Sequence, residues 1–166
     1  MKENIMREIK IEKVVLNVGG IAEELTKGVK LLTLITGRVP AKMKSNKRIP
    51  SFNVRPGLEI GAVITIRKNP EEMLKKMLVT IDNILKEKQI STNNFSFGIK
   101  DYLEIPGMEY QRDIGIMGFD VTVVFKRTGR RVKLKKIKKG VYSKKQMISK
   151  EEIIKFMDEK FQTKFI

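Results

Sequence analysis

Few residues in this sequence could do chemistry, and the usual ones are absent. There is no histidine and no cysteine. That removes the commonest general base, any serine–histidine pair, thiolate metal sites and disulfides. A chain without cysteine also fits a reducing compartment. Carboxylate and lysine chemistry remain. The paired acids Glu71/Glu72 and Glu151/Glu152 each stand just after a helix-start signal, Asn69-Pro70 in one case and Ser149 in the other. Acids in a first helical turn stabilise the macrodipole, so capping is expected there rather than catalysis. Gly19-Gly20 follows a strand-like run, but Ile21-Ala22-Glu23-Glu24 supplies no third glycine and puts acids at the helix start. Neither nucleotide fingerprint is met, and a turn is expected. The expectation is therefore no catalytic residue, no metal and no cofactor.

The remaining candidates are cations. The chain has 35 basic and 19 acidic residues, a net charge of +16. Residues 38–55 hold six basic side chains and no acid; residues 126–147 hold eleven and no acid. The rest of the chain is close to balanced. Such segregation implies a polyanionic partner, because unrelieved repulsion on this scale needs a counter-charge. The plainer alternative is two solvated loops. About 41% of residues are hydrophobic, enough to build a core in a chain of 166 residues. No apolar run approaches the roughly 18 residues of a membrane span. Residues 1–10 lack the apolar stretch of a signal peptide, so none is expected.

Ordered elements must hold these cations in place. Residues 9–18 read as a strand, β-branched and partly alternating. Residues 25–36 read as a helix buried through Leu25, Val29 and Leu32 and stopped by Gly37. Residues 38–55, with Pro40 and Pro50, read as mostly loop with a strand near the end. Residues 60–67 alternate, with Ile60, Ala62, Ile64 and Ile66 on one side. Asn69 and Pro70 open a helix whose stripe is Leu74, Leu78, Ile81 and Leu85. Residues 91–118 read as irregular, with short extended pieces. Residues 119–127 form a strand with Phe119, Val121, Val123 and Phe125 inward. Residues 128–140 suggest an extended hairpin or arm. Ser149 with Glu152 forms a capping box for a last helix, buried through Ile153, Met157 and Phe161 or its neighbours.

This order predicts an α+β fold: a mostly antiparallel sheet with helices packed on one face, plus a basic C-terminal arm and a terminal helix. Residues 1–127 are expected to be an RNA-binding α+β part, and 128–166 a basic arm and helix packed on or beside it, the whole forming one domain. The open sheet face would carry Asn17, Thr65, Arg67, Thr122 and Lys126. Amides, hydroxyls and guanidinium groups there suit nucleic acid. The run from Met117 to Phe125 faintly resembles the aromatic signature of a single-stranded-RNA module, but its phenylalanines fall on the inward side and are expected in the core. The nine methionines are expected as core filling. Phe52, between Arg48 and Arg55, either stacks on a base or begins a strand from the core.

Several separated blocks resemble one family. They are residues 6–18 (MREIKIEKVVLNV), Thr36-Gly37-Arg38-Val39-Pro40, Ser51-Phe52-Asn53-Val54-Arg55 followed by Ile64-Thr65-Ile66-Arg67, Asn94 to Ile99 (NFSFGI), and Ile114 to Asp120 (IGIMGFD). Together they resemble large-subunit ribosomal protein five, called large-subunit ribosomal protein eleven in eukaryotes, over nearly the whole chain. The short start and the basic arm with its helix look like the archaeal–eukaryotic branch. Arg38 stands where that family usually has glutamine, the turn after the first strand is shorter, and Asn69-Pro70 replaces a glycine common after Arg67.

The resemblance implies a non-enzymatic structural constituent of the large ribosomal subunit. Its partners would be 5S ribosomal RNA and large-subunit ribosomal RNA in the central protuberance. P-site transfer RNA and neighbouring ribosomal proteins, including those of the small-subunit head, would also be partners. No membrane and no homo-oligomer is expected. The location would be the cytoplasm, with nucleus or nucleolus during assembly if the source is eukaryotic. The expected RNA-binding residues are Asn17, Arg38, Lys42, Lys44, Lys47, Arg48, Phe52, Arg55, Thr65 and Arg67, then Arg127, Arg130, Arg131, Lys133, Lys135, Lys136, Lys138 and Lys139. The loop facing transfer RNA would hold Lys47, Arg48, Ser51, Phe52, Asn53, Arg55 and Gly57. The alternatives are an RNA-processing enzyme or a free regulatory RNA-binding module.

Overall fold

The computed structural model describes residues 4–166. The fold is α+β. Strands β1 (Ile9–Gly19), β2 (Ala41–Lys44), β3 (Glu59–Ile66), β5 (Ile90–Ser91), β6 (Asn94–Ile99) and β7 (Phe119–Arg127) form a sheet in the order β2-β3-β1-β7-β6-β5. It is mostly antiparallel. Helices α1 (Glu23–Thr36), α2 (Pro70–Val79), α3 (Arg131–Leu134) and α4 (Lys150–Phe161) complete the elements, with β4 (Ile84–Leu85) and β8 (Lys164–Phe165) paired in parallel. The chain divides into two compact units, and β1, β6 and β7 each contribute residues to both.

One unit comprises Val15–Ile66 and Phe97–Thr122. Its core takes alternate residues from the strands: Leu16 and Val18, Ala62 and Ile64, Phe97 and Ile99, Phe119 and Val121. Helix α1 packs on β3. Its buried face is Leu25, Gly28, Leu31 and Leu32, so Gly28 sits where Val29 was expected. A Cβ at Gly28 would lie 2.6 Å from Val18 Cγ1, so the helix comes this close to β1 because position 28 has no side chain. Gly37 ends the helix in the left-handed conformation, its N–H donating to the Thr33 carbonyl at 2.8 Å. In the basic segment the strand lies near the start, as β2, and not near the end. The end instead forms a 3-10 turn, Pro50–Phe52.

The other unit comprises, among the described residues, 4–14, Arg67–Ser96 and Val123–Ile166. Phe95, Phe125 and Phe156 pack in series. The first pair of ring centroids is 5.7 Å apart, and the second 5.5 Å in an edge-on contact. Asn93, left-handed at φ 66°, ties the elements together. Its N–H donates to the Ile148 carbonyl, its side-chain oxygen accepts from Ile148 N–H, and its carbonyl accepts from Phe125 N–H. Helix α2 buries Leu74, Met77 and Leu78 and stops at Val79. The expected stripe through Ile81 and Leu85 does not continue as helix. Asp82 and Asn83 take φ of 54° and 56°, a conformation these residues tolerate, and Leu85 is buried from β4 instead. Asn69 opens α2 but makes no side-chain cap. Helix α4 has the expected capping box between Ser149 and Glu152 and buries Ile153, Phe156 and Met157; Phe161 is only half-buried. Met77 and Met157 fill the core, whereas Met6, Met43 and Met147 are exposed, which corrects the expectation for methionine.

Candidate RNA-binding surface

The segment after α1 forms a loop closed at two levels. At its base Ser45 N–H donates to the Leu58 carbonyl and Gly57 N–H to the Ser45 carbonyl, both at 2.8 Å. The Ser45 hydroxyl, buried, donates to the Lys47 carbonyl at 2.7 Å. Higher up, Ile49 and Val54 exchange both backbone bonds, at 2.9 and 3.1 Å. The chain reverses over Pro50–Phe52, with Asn53 left-handed at φ 53°. This scaffold lifts Phe52 to the tip, where it is 69% exposed. The core alternative for Phe52 is thereby overturned. Arg48 and Arg55 flank it on the loop and are exposed, as are Ser51, Asn53 and Gly57.

The six cations of residues 38–55 are Arg38, Lys42, Lys44, Lys47, Arg48 and Arg55, all exposed. Among the described residues only Lys42 of these has a carboxylate partner, Glu59 at 2.9 Å. Sequence inspection missed Ser45, the residue that latches this loop. Serine hydroxyls can bond the backbone two residues on, as Ser45 does with Lys47 N–H at 3.3 Å, but the sequence does not mark which serine will do so.

In the same unit Asn17 on β1 and Thr65 on β3 are half-buried, with Thr122 on β7. Gly61 on β3 lies close against β1: a Cβ there would stand 3.0 Å from the Val18 carbonyl oxygen. Arg67 follows β3, belongs to the other unit, and is exposed.

The second basic segment divides into two groups. Arg131, Lys133, Lys135, Lys136, Lys138 and Lys139 are exposed. Arg127 and Arg130 have partners inside the unit. Arg127 is 8% exposed; its guanidinium donates to the Glu152 carboxylate at 2.7 Å and to the Lys145 carbonyl at 3.4 Å, fastening β7 to the start of α4. Arg130 pairs with Glu12 and donates to the Phe125 carbonyl at 3.4 Å. Arg127 thus serves the fold rather than the surface. The expected hairpin is also absent: a turn, the single helical turn α3 and a bent loop occupy residues 128–140. Like charges spaced three and four apart destabilise any longer helix there.

Partial burial of Glu152 opposes its charge, while Ser149 and the Arg127 guanidinium favour it. The balance holds its pKa below the ordinary glutamate value. A depressed folded value contributes stability above the unfolded pKa, and that contribution is lost as pH falls through the folded value. Wild-type protein should therefore lose more stability than Glu152→Gln across that acid window in urea titrations at successive pH. Parallel losses would mean the pair contributes nothing.

Among the described residues no group of three or more acids stands close enough to hold a metal ion, and no helix is long and apolar enough to cross a membrane.

Residues 4–55 match the family model "Ribosomal protein L5", and residues 59–156 match the model of the same family's C-terminus. The chain belongs to the ribosomal protein L5 family. The large ribosomal subunit protein uL5 of Picrophilus torridus is 42% identical over 99% of this chain and 96% of its own length. That of Nanoarchaeum equitans is 38% identical over 99% of both, and that of Sulfolobus acidocaldarius 39% identical over 96% and 92%. The L5 family is a structural, non-enzymatic one, and its similarity here is to archaeal members. The Phe52 loop lies at the junction of the two matched regions.

Proposed function

We propose that this chain is a structural constituent of the large ribosomal subunit. In this reading it binds 5S and large-subunit ribosomal RNA in the central protuberance, brings the Phe52 loop near P-site transfer RNA, and bridges to the small subunit. The observation that carries the reading is the latched loop of residues 45–58, with an exposed aromatic between exposed arginines. A rigid loop of this kind holds cations at set spacings for phosphates and offers a ring for stacking. Asn17 and Thr65 would add hydrogen bonds that can distinguish one RNA surface, sugar hydroxyls included; Arg67, in the other unit, would bind RNA on its own account. The ribosome of the cytoplasm is the proposed location. The nucleolar expectation applied to a eukaryotic source, and the named relatives are archaeal.

Protein neighbours suit a different part of the chain. The stretch from Asp101 to Ile116 carries Asp101, Glu104, Glu109 and Asp113 against Arg112. It also exposes Leu103, Tyr110 and Ile116, the last at 78%. Acids repel RNA, whereas an acidic surface with apolar side chains suits a basic protein. Residues 128–166 are proposed as an arm and helix packed on the RNA-binding part, residues 1–127.

Asn17→Ala or Thr65→Ala should weaken binding to 5S RNA more than to competitor RNA, by about 1–2 kcal/mol for a lost hydrogen bond. The salt dependence should stay the same, and circular dichroism should confirm the fold. Equal weakening for every RNA would remove the sheet face as the selective surface.

A further inference from the structure

The basic segment after β7 contains a loop whose composition charge alone does not explain. Gly140 N–H donates to the Val132 carbonyl at 3.2 Å, closing residues 132–140. A Cβ at Gly140 would lie 2.5 Å from Val132 Cγ1, so glycine lets the loop close without displacing the Val132 side chain. Lys138 takes φ 52°, the left-handed conformation that turns the chain back. A side chain without a short polar group adopts that conformation only at a cost. Closed in this way, the loop displays Lys133, Lys135, Lys136, Lys138 and Lys139, all exposed and with no acid among them. Set between these lysines are two aliphatic side chains, Leu134 at 63% and Ile137 at 81% exposed.

We propose that this loop docks onto RNA through two kinds of contact: its lysines on phosphates, and Leu134 and Ile137 packed against riboses and base edges between them. This rests on the RNA-binding reading above and adds a contact that is not electrostatic. Charge complementarity selects the occupant. Five cations around two aliphatic groups repel a basic protein and stay uncompensated against a neutral one, whereas a polyanion neutralises the lysines and lets the apolar tip approach. Between its phosphate rows, RNA presents a wide, shallow minor groove edged with sugars and bases. Apolar side chains standing among the cations can reach that floor and lose contact with water there.

The test uses the full chain and protein-free large-subunit ribosomal RNA, titrated at several salt concentrations. The variant Leu134→Ser/Ile137→Ser keeps every charge, and both positions are exposed, so the fold should survive; circular dichroism checks this. It should bind about tenfold more weakly, as expected for losing partial burial of two aliphatic groups. Its salt slope should match that of wild type. Gly140→Ala, which crowds Val132 at the closure but keeps all the lysines and aliphatic groups of the loop, should also weaken binding. Undiminished affinity of the double variant would overturn the proposal. So would a loss accompanied by a shallower salt slope, since the aliphatic groups would then act only by placing lysines. Intact RNA binding with lost affinity for an acidic ribosomal protein would overturn it in favour of protein docking. Failure of wild type to bind RNA would sink the underlying reading instead, and the wild-type arm shows that separately.

Discussion

Phe125→Ala should destabilise the protein by about 3–5 kcal/mol, the usual range for truncating a buried phenylalanine. Phe125 is fully buried. Its ring lies between Phe95 and Phe156, so one side chain joins β6, β7 and α4. Truncation leaves a cavity against both rings and removes the edge-on contact with Phe156, worth about 0.5–1.5 kcal/mol beyond its area. The two neighbours cannot close this gap easily. Phe95 is held on a strand, and α4 is anchored by its capping box and by the Arg127–Glu152 pair. Urea denaturation should show a lower midpoint with an unchanged slope. Phe161→Ala, at a half-buried position, should cost distinctly less. Equal costs would mean the aromatic series is not the centre of this unit.

A second large effect is expected on binding. Replacing Lys135, Lys136, Lys138 and Lys139 with alanine should weaken binding to ribosomal and competitor RNA by similar factors. Lysines on an exposed loop meet phosphate, and every RNA offers phosphate. If wild type neutralises about six phosphates, log K falls with a slope near −5 per log unit of salt, by the duplex relation. Affinity then drops roughly a thousandfold between 50 and 200 mM salt. Without four of those cations the slope should be about −2, and the same salt change should cost roughly tenfold. Filter binding across that range measures both. An unchanged slope would mean these lysines never meet phosphate, and a loss confined to one RNA would assign them a selective role.

The strands and the last helix were legible because their signals are local. In β3 and β7, side chains of one face recur every second residue. Ser149 and Glu152 announce α4 by a reciprocal pair three residues apart. Signals failed where a distant partner decides, or where a local turn interrupts an apolar period. Arg127 looks like one more cation of a basic run; only folding brings Glu152 beside it, twenty-five residues away. Gly28 looks like a weak point in a helix, and its purpose appears only when Val18 is seen against it. Ile81 and Leu85 continue the helical spacing of α2, yet Asp82 and Asn83 turn the chain, so apolar periodicity alone overran the end. For the candidate surface, composition located both basic segments. It could not separate exposed cations from internal ones, nor show that Ser45 latches the loop that carries Phe52.

Sedimentation of a native extract through a sucrose gradient tests the central claim most directly. A structural constituent of the large ribosomal subunit should travel with that subunit at moderate salt and be released at high salt, as the electrostatic share of its attachment is screened. Detection of the chain solely at the top of the gradient at moderate salt, with intact large subunits free of it, would contradict the account.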